Sequence, residues 1–560
     1  MTRRPWVNHY DPGVPEQPDI PDISIDSLLT ETAFRFPEKP CTIYEGGIIS
    51  YQKMNTLVNR FASWLVLAGM QKGDRVGLYL PNCPEFVLAF YAILRAGGVV
   101  VAGNPNQKAP EVRWQLDYTR PKIVIAQESA VEIRSIISEK IDLLLILVDN
   151  KALPDITLTG RFIQSFNNDD RGNDSIRGLM RTVSLRKILG EDVSARMPII
   201  IPDDPAILQF SGGTTGVPKA AVGLHRNLVA NTIQFCSWLA GLQPGKVTSM
   251  LAIPLYHVYG MVVGMTVSTW LGASMVLISN PKNLEDMLLQ LQTYQVSFFP
   301  GVPTLFHQIS HHPDVQAGKV DLTAIRACIS GSAPLLRETR LRFERLTGAK
   351  LMEGYGLSEA PTATHCNPML GEKRDGSIGL PLPGVDCKIV SLADGSDAVP
   401  LGEMGELIIR GPQVMKEYFE HPEETAVTLR DGWLYTGDIA WMDVDGYFYL
   451  SGRKKDLIKV SGLQVFPKEI EDVLIQHPAV MEVCAAGVPD AVRGERVKVW
   501  IVCKPGKEIT LEQVRTWCEP ALSAYKIPLE LELVEALPKT PVGKVLRREL
   551  VRHHLDRLEH

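Results

Sequence analysis

The chain is 560 residues long, 45% hydrophobic and 22% charged, with a formal net charge of −6. That length exceeds what one hydrophobic core serves, so two or more domains are expected, and the composition is that of a folded globular protein, not a disordered one. The mildly acidic balance offers no electrostatic attraction to nucleic acid.

The first residues, MTRRPWVNHYDPGVPEQPDIPD, are basic and then polar, without the apolar segment of a signal peptide. Arg75–Leu80 reads as a strand, Pro84–Ala96 as a helix and Val99–Ala102 as a strand. A polar tract, SFNNDDRGND at Ser165–Asp174, reads as a surface excursion. Strands follow at Ala206–Phe210, Val247–Ile253, Met275–Ile278, Val296–Phe299 and Ile325–Ile329. Helices are expected at Arg226–Leu239, Leu284–Tyr294 and Leu335–Leu346. The apolar stretch Met261–Leu277 is broken by Thr266, Ser268, Thr269, Gly272 and Ser274. It falls short of the roughly 20 apolar residues of a membrane span and reads as a buried helix followed by a strand. Continuous apolar strands separated by helices predict parallel sheets covered on both faces. Between Gly379 and Leu450, short strands with Gly and Asp turns predict a β-subdomain. The charged segment GRKKDLIKVSG (Gly452–Gly462) then introduces a small α+β unit. The expected class is α/β: an N-terminal domain at 1–452, a hinge at 453–458 and a mobile C-terminal domain at 459–560. Nine cysteines, spread from Cys41 to Cys518 without a CxxC pair, read as reduced thiols of a cytoplasmic protein.

The sharpest local motif is SGGTTGVPK, Ser211–Lys219. Its small residues let backbone N–H groups crowd around phosphate oxygens, and the lysine adds charge. It is not a Walker loop, because no glycine immediately precedes Lys219 and Ala220 follows it where Ser or Thr would hold magnesium. Alone, it fits a Gly/Thr-rich surface turn equally well. Four further segments follow in order: GYGLSEA (Gly354–Ala360), YTGD (Tyr435–Asp438), GRKKDLIKVSGLQV (Gly452–Val465) and PKTPVGKVLRREL (Pro538–Leu550). Together the five resemble the adenylate-forming superfamily over nearly the whole chain. PLYHVYG (Pro254–Gly260), GVPTLF (Gly301–Phe306) and the SGGTTG loop most resemble bacterial long-chain fatty-acid CoA ligases.

The resemblance implies ATP, magnesium and coenzyme A as ligands. Ser211, Gly212, Gly213, Thr214, Thr215, Gly216 and Lys219 would cradle the phosphates, with Thr214 and Glu359 at magnesium and Ser358 on a phosphate. Tyr355, with Glu353, Gly354 and Gly356 around it, would lie on one adenine face; Gly331, Ser332, Ala333 and Pro334 would line the other. Asp438 would accept both ribose hydroxyls, and Arg453 would contact ribose or phosphate. From local sequence alone, Glu359 also fits a helix N-terminal acid, and Asp438 an aspartate in the turn after Gly437.

Lys544, after Gly543, is the residue implied to stabilise charge during adenylation. Lys455 is implied as the hinge about which the small domain turns, replacing Lys544 by the Lys459–Gln464 face. Gly462 in that face would admit the pantetheine arm. His257 would border the acyl and thiol site, or be a satisfied histidine at a helix start; His311, His312, His553 and His554 read as surface. Tyr256, Val258, Met261, Val302, Phe306 and Ala333 are the acyl-pocket candidates, with no charge to pair with a second charge on the substrate.

Ala220 and Ser358 stand where relatives more often carry glycine and threonine, and Lys454 adds charge to the hinge. None removes a required group. The leading expectation is a medium- to long-chain fatty acyl-CoA synthetase. An aryl-CoA ligase, a carrier-loading acyl-AMP ligase and a non-catalytic acyl or nucleotide binder are the rivals. No insertion between Tyr449 and Val465 favours the loading enzyme. Homodimerisation and peripheral contact with the inner membrane face stay open.

Overall fold

In a computed structural model, the described residues are 4–137, 143–149, 181–211, 218–490, 492–540 and 543–558. The expected excursion at Ser165–Asp174 and the loop residues Gly212, Gly213, Thr214, Thr215 and Gly216 lie outside them.

Two large sheets form most of the molecule. One runs Leu380–Pro381, Ala363–Cys366, Lys350–Gly356, Ala327–Ser330, Phe298–Gly301, Thr248–Leu251, Ser274–Leu277, Pro40–Tyr44 and Gly47–Ser50. Its interior pairings are parallel and its edges antiparallel. The other runs Glu417–Tyr418, Ala220–Leu224, Pro205–Phe210, Val99–Ala102, Arg75–Tyr79, Ile123–Gln127, Leu144–Val148 and Arg181–Ser184. It is parallel except at the strands Glu417–Tyr418 and Ala220–Leu224.

Helices lie between the sheets. Pro84–Arg95 begins with proline at its first turn, where the missing N–H costs nothing, and every residue in it is buried. Tyr51–Leu67 is capped by Ser50, whose hydroxyl accepts from the Lys53 N–H. One apolar cluster joins these helices to Val76 and Leu78 of one sheet and Leu251, Met275 and Leu277 of the other. A helix pressed between two sheets is hydrophobic all round, which explains the unbroken apolar run of Pro84–Arg95. The stretch Gly260–Thr266 is a π-helix continuing as α-helix to Trp270, and a strand follows at Ser274–Leu277. Among the described residues, no helix is long and apolar enough to cross a membrane.

The β-subdomain is a five-stranded sheet of Asp386–Val390, Gly405–Arg410, Trp433–Met442, Leu429–Arg430 and Phe448–Arg453. The C-terminal unit has its own sheet, Leu463–Val465, Ile458–Val460, Gly494–Cys503, Val480–Asp490 and Glu530–Leu533, and its own core around Ile470, Val499 and Ile501. The large α/β N-terminal part and small C-terminal part match the expected class. The expected strands at Val296–Phe299 and Ile325–Ile329 start two residues later, at Phe298 and Ala327. His554 is not a surface residue: it is buried, with Nδ1 2.8 Å from Lys498 Nζ and its ring edge-on to Trp500.

Candidate active site

Several candidates sit at the carboxyl ends of parallel strands, the usual place for a ligand in an open α/β sheet. Ser211 follows Pro205–Phe210, Gly331 follows Ala327–Ser330, and Glu353 to Gly356 end Lys350–Gly356. Ser211 closes its loop through its N–H and hydroxyl, both bound to the Lys219 carbonyl at 2.8 and 3.2 Å. Ala220 begins the next strand, where its methyl is fully buried.

Backbone geometry around the nucleotide candidates is tight. A Cβ on Gly331 would sit 3.0 Å from the Tyr259 ring, and one on Gly356 would sit 1.7 Å from the Thr362 carbonyl oxygen. Ser332 takes a left-handed φ of 71°. Tyr259 was not among the sequence candidates, yet it joins two strand ends. Its hydroxyl contacts the Gly301 carbonyl at 3.2 Å and the Ile329 carbonyl at 2.9 Å. Glu353 is drawn in by the Leu335 N–H at 3.4 Å, and burial pushes its carboxyl up to about 8.

Asp438 is not in a turn. It lies within the strand Trp433–Met442, only 5% exposed, directly opposite Arg453. Arg453 Nε reaches its Oδ1 at 2.9 Å, and the Tyr355 hydroxyl donates to its Oδ2 at 2.5 Å. Both carboxylate oxygens are thereby aimed by a cation and a phenol beside the Gly354–Gly356 backbone. Glu359, in turn, does not start a helix. It occupies a turn after Gly356, with its carbonyl taking the Met415 N–H at 2.8 Å and its carboxylate taking the Tyr418 hydroxyl at 2.8 Å. Ser358 precedes it in the same turn. Lys219 pairs with Glu424 at 3.2 Å and lies over the Tyr418 ring, 5.6 Å from its centroid.

The small domain brings Lys544 to this group. Burial and Arg453 push its ammonium below the usual lysine range, while Asp438, Asp456 and Glu359 oppose that shift. The preceding residue, Gly543, has a left-handed φ of 83°, and a Cβ there would lie 4.0 Å from Thr304 Oγ1. Elsewhere in the small domain, Lys459 and Gln464 pair across a hairpin turned at Gly462, and all three are exposed. The structure thus gathers Lys544, Arg453, Asp438 and Glu359, and leaves the Lys459–Gln464 face outside.

His257 is half-buried at a helix start, its Nδ1 accepting from the Tyr259 N–H at 3.2 Å. Burial pushes its pKa down to about 4, so it is neutral at neutral pH. The acyl candidates are not all together. Val258 and Met261 lie in the core between the sheets, with Tyr256 packed against it. Phe306 and Val302 belong to another cluster, where Phe306 sits edge-on to Phe299 and Phe343 at 5.3 and 5.0 Å. The neighbours Met250 and Leu251 go to these two clusters separately, so the clusters occupy opposite faces of one sheet. Ala333 is half-buried beside Ser332.

The AMP-binding enzyme family matches residues 29–419, and its C-terminal domain matches 469–544. The chain belongs to the AMP-binding enzyme family. Its relatives in that family include a long-chain-fatty-acid–CoA ligase of Bacillus subtilis, 37% identical over 99% of both chains. One of Escherichia coli O6:H1 is 36% identical over 98% of both. ATP-bound MatB from Rhodopseudomonas palustris has a similar fold, with a TM-score of 0.82 at 28% identity, over 96% of this chain and 100% of that one. The anthranilate CoA ligase AuaEII, in complex with anthranoyl-AMP, gives 0.81 at 25% identity, over 96% and 98%. The group around Asp438 lies where the large and small domains meet, with Lys544 of the small domain feeling the charges of Arg453, Asp438 and Glu359.

Proposed function

We propose that this AMP-binding enzyme is an ATP-dependent fatty-acid–CoA ligase acting on medium- to long-chain acids. The observation that carries the chemistry is Lys544, brought from the small domain within electrostatic reach of Asp438, Glu359 and Arg453. The substrate class follows the fatty-acid ligases that match the whole chain.

In the first half-reaction a carboxylate oxygen attacks the α-phosphorus of ATP. The bond to the bridging oxygen breaks, giving acyl-AMP and pyrophosphate. Asp438, aimed by Arg453 and Tyr355, holds the ribose, and the Lys544 ammonium balances charge between carboxylate and α-phosphate. Lys219, with the loop at 211–219, takes the outer phosphates. Glu359 fits magnesium: it is a single aimed carboxylate, and this ion favours one or two carboxylates plus phosphate oxygens. Among the described residues, no group of three His, Cys, Asp or Glu could hold a metal by itself. When bound, magnesium supplies the charge that lets two anions approach.

In the second half-reaction the thiol of coenzyme A attacks the acyl carbon, and AMP leaves. We assign the reorientation to a turn about Lys455, which withdraws Lys544 and brings the exposed Lys459–Gly462–Gln464 hairpin to the thiol's path. His257 borders that path as a neutral ring. The alkyl chain lies on the Tyr256, Val258 and Met261 side, while Phe306 packs on the opposite face of the sheet with Phe299 and Phe343.

Pyrophosphate release with acids from acetate to oleate, plus benzoate and coumarate, with and without coenzyme A, tests this. Coenzyme A-dependent turnover on alkyl acids is the expected outcome. The likeness to AuaEII supports an aryl-CoA ligase as the second reading; turnover confined to aromatic acids would establish it instead.

A further inference from the structure

Lys219 has an anionic partner, Glu424 Oε1, at 3.2 Å. The other oxygen of that carboxylate lies 3.3 Å from His421 Nδ1. Backbone hydrogen bonding and Lys219 hold the Glu424 carboxyl below the usual carboxylate range. The lysine lies over the Tyr418 ring, and the Tyr418 hydroxyl donates to Glu359. Four side chains thus run in series from Glu424 through Lys219 and Tyr418 to Glu359.

The fold holds the two middle members in register. Tyr418 lies opposite Ala221 in an antiparallel pair, which sets it beside Lys219. The Tyr418 N–H donates to Thr425 Oγ1 at 2.9 Å, fixing the helix Pro422–Thr428 and hence Glu424 against the same strand. The Lys219 and Glu424 side chains are 23% and 41% exposed. An ion pair that open exchanges partners readily, and competition against it is worth a few-fold.

We propose that Glu424 competes with the ATP phosphates for the Lys219 ammonium and so sets nucleotide affinity, while Tyr418 is the positioning residue that aims Glu359. This rests on the nucleotide-site reading above. The triphosphate draws Lys219 off Glu424, and His421 remains as that carboxylate's partner. Tyr418 keeps its bond to Glu359 throughout, so the metal-binding carboxylate does not follow the lysine.

The test uses the full-length enzyme in the pyrophosphate-exchange assay. Glu424→Gln is expected to lower the KM for MgATP about three- to five-fold with kcat little changed, a gain that a structural residue would not produce. In a Lys219→Ala background the same change should have no effect. Tyr418→Phe keeps the ring and should raise the magnesium midpoint about five-fold, leaving thioester formation from supplied acyl-AMP unchanged. If Lys219→Ala weakens MgATP but Glu424→Gln does not tighten it, the competition is wrong and the nucleotide site stands. If Lys219→Ala leaves MgATP binding unchanged, both are wrong. An unchanged magnesium midpoint in Tyr418→Phe removes the positioning role.

Discussion

Lys544 is a charge held where burial opposes it, beside carboxylates that favour it. In the proposed mechanism, removing it takes away stabilisation of the adenylation transition state but nothing needed by the thiol. Lys544→Ala should slow acyl-AMP formation by about 10²-fold or more, with thioester formation from supplied acyl-AMP largely retained. Equal losses in both steps would overturn the two-orientation mechanism. Asp438 faces a cation and a phenol with both oxygens, so Asp438→Asn should weaken ATP binding while leaving the fold intact, as measured by KM and melting temperature. Glu353 makes a pH prediction. Its folded pKa of about 8 lies above the ordinary glutamate value, so the native state keeps a proton that the unfolded chain has lost. Stability from this group is full below the unfolded value and falls as pH rises toward 8. Glu353→Gln should flatten that fall in melting temperature; an unchanged slope would show that Glu353 is ionised in the native state.

Among the elements, the end of the strand Lys350–Gly356 is the most constrained. Gly356→Ala would drive a methyl into the Thr362 backbone, which cannot yield as a side chain could. The variant should lose nucleotide binding and melt lower in a thermal scan. Phe306 belongs to an aromatic cluster under its helix, so Phe306→Ala should cost about 3–5 kcal/mol of stability, read by denaturant unfolding. Its chain-length preference among acids should stay as in the parent, whereas Met261→Ala should shift it.

Across the whole molecule, the proposed hinge is bracketed by two ion pairs. Lys454 holds Glu406, a buried carboxylate of the β-subdomain, at 3.0 Å. Asp456 holds Arg547 of the small domain at 3.1 Å, and Arg547 is itself tied to Glu471 and to the Ala485 carbonyl. Only Lys455 lies between these anchors, and its ammonium is pushed down to about 8 by burial and by the charges of Arg453 and Arg548. This supports rotation at Lys455 itself. Lys455→Pro, which restricts that backbone, should impair thioester formation more than pyrophosphate exchange. An unaffected second step would place the hinge elsewhere.

Much of this was legible in the chain. Apolar runs of strand length between amphipathic or wholly apolar helices point to mainly parallel sheets, because strands covered by helices on both faces need apolar side chains on both. Asp438, Arg453 and Lys544, which the proposed mechanism uses, are named from the sequence through the family resemblance that their ordered motifs carry. Partners distant in sequence were not. Tyr418 meets Glu359 and Lys219 because one short strand pairs with another about two hundred residues earlier, and no local pattern encodes that register. Glu359 and Asp438 took a turn and a strand instead of a helix start and a turn, since tertiary pairing overrode local preference. Phe306 and Met261 look alike as apolar residues near motifs, yet the pleat of one sheet sends their neighbours to opposite faces. Composition and periodicity decide which elements form, whereas the side of a sheet a residue faces, and the charge it meets there, exist only once the chain has closed on itself.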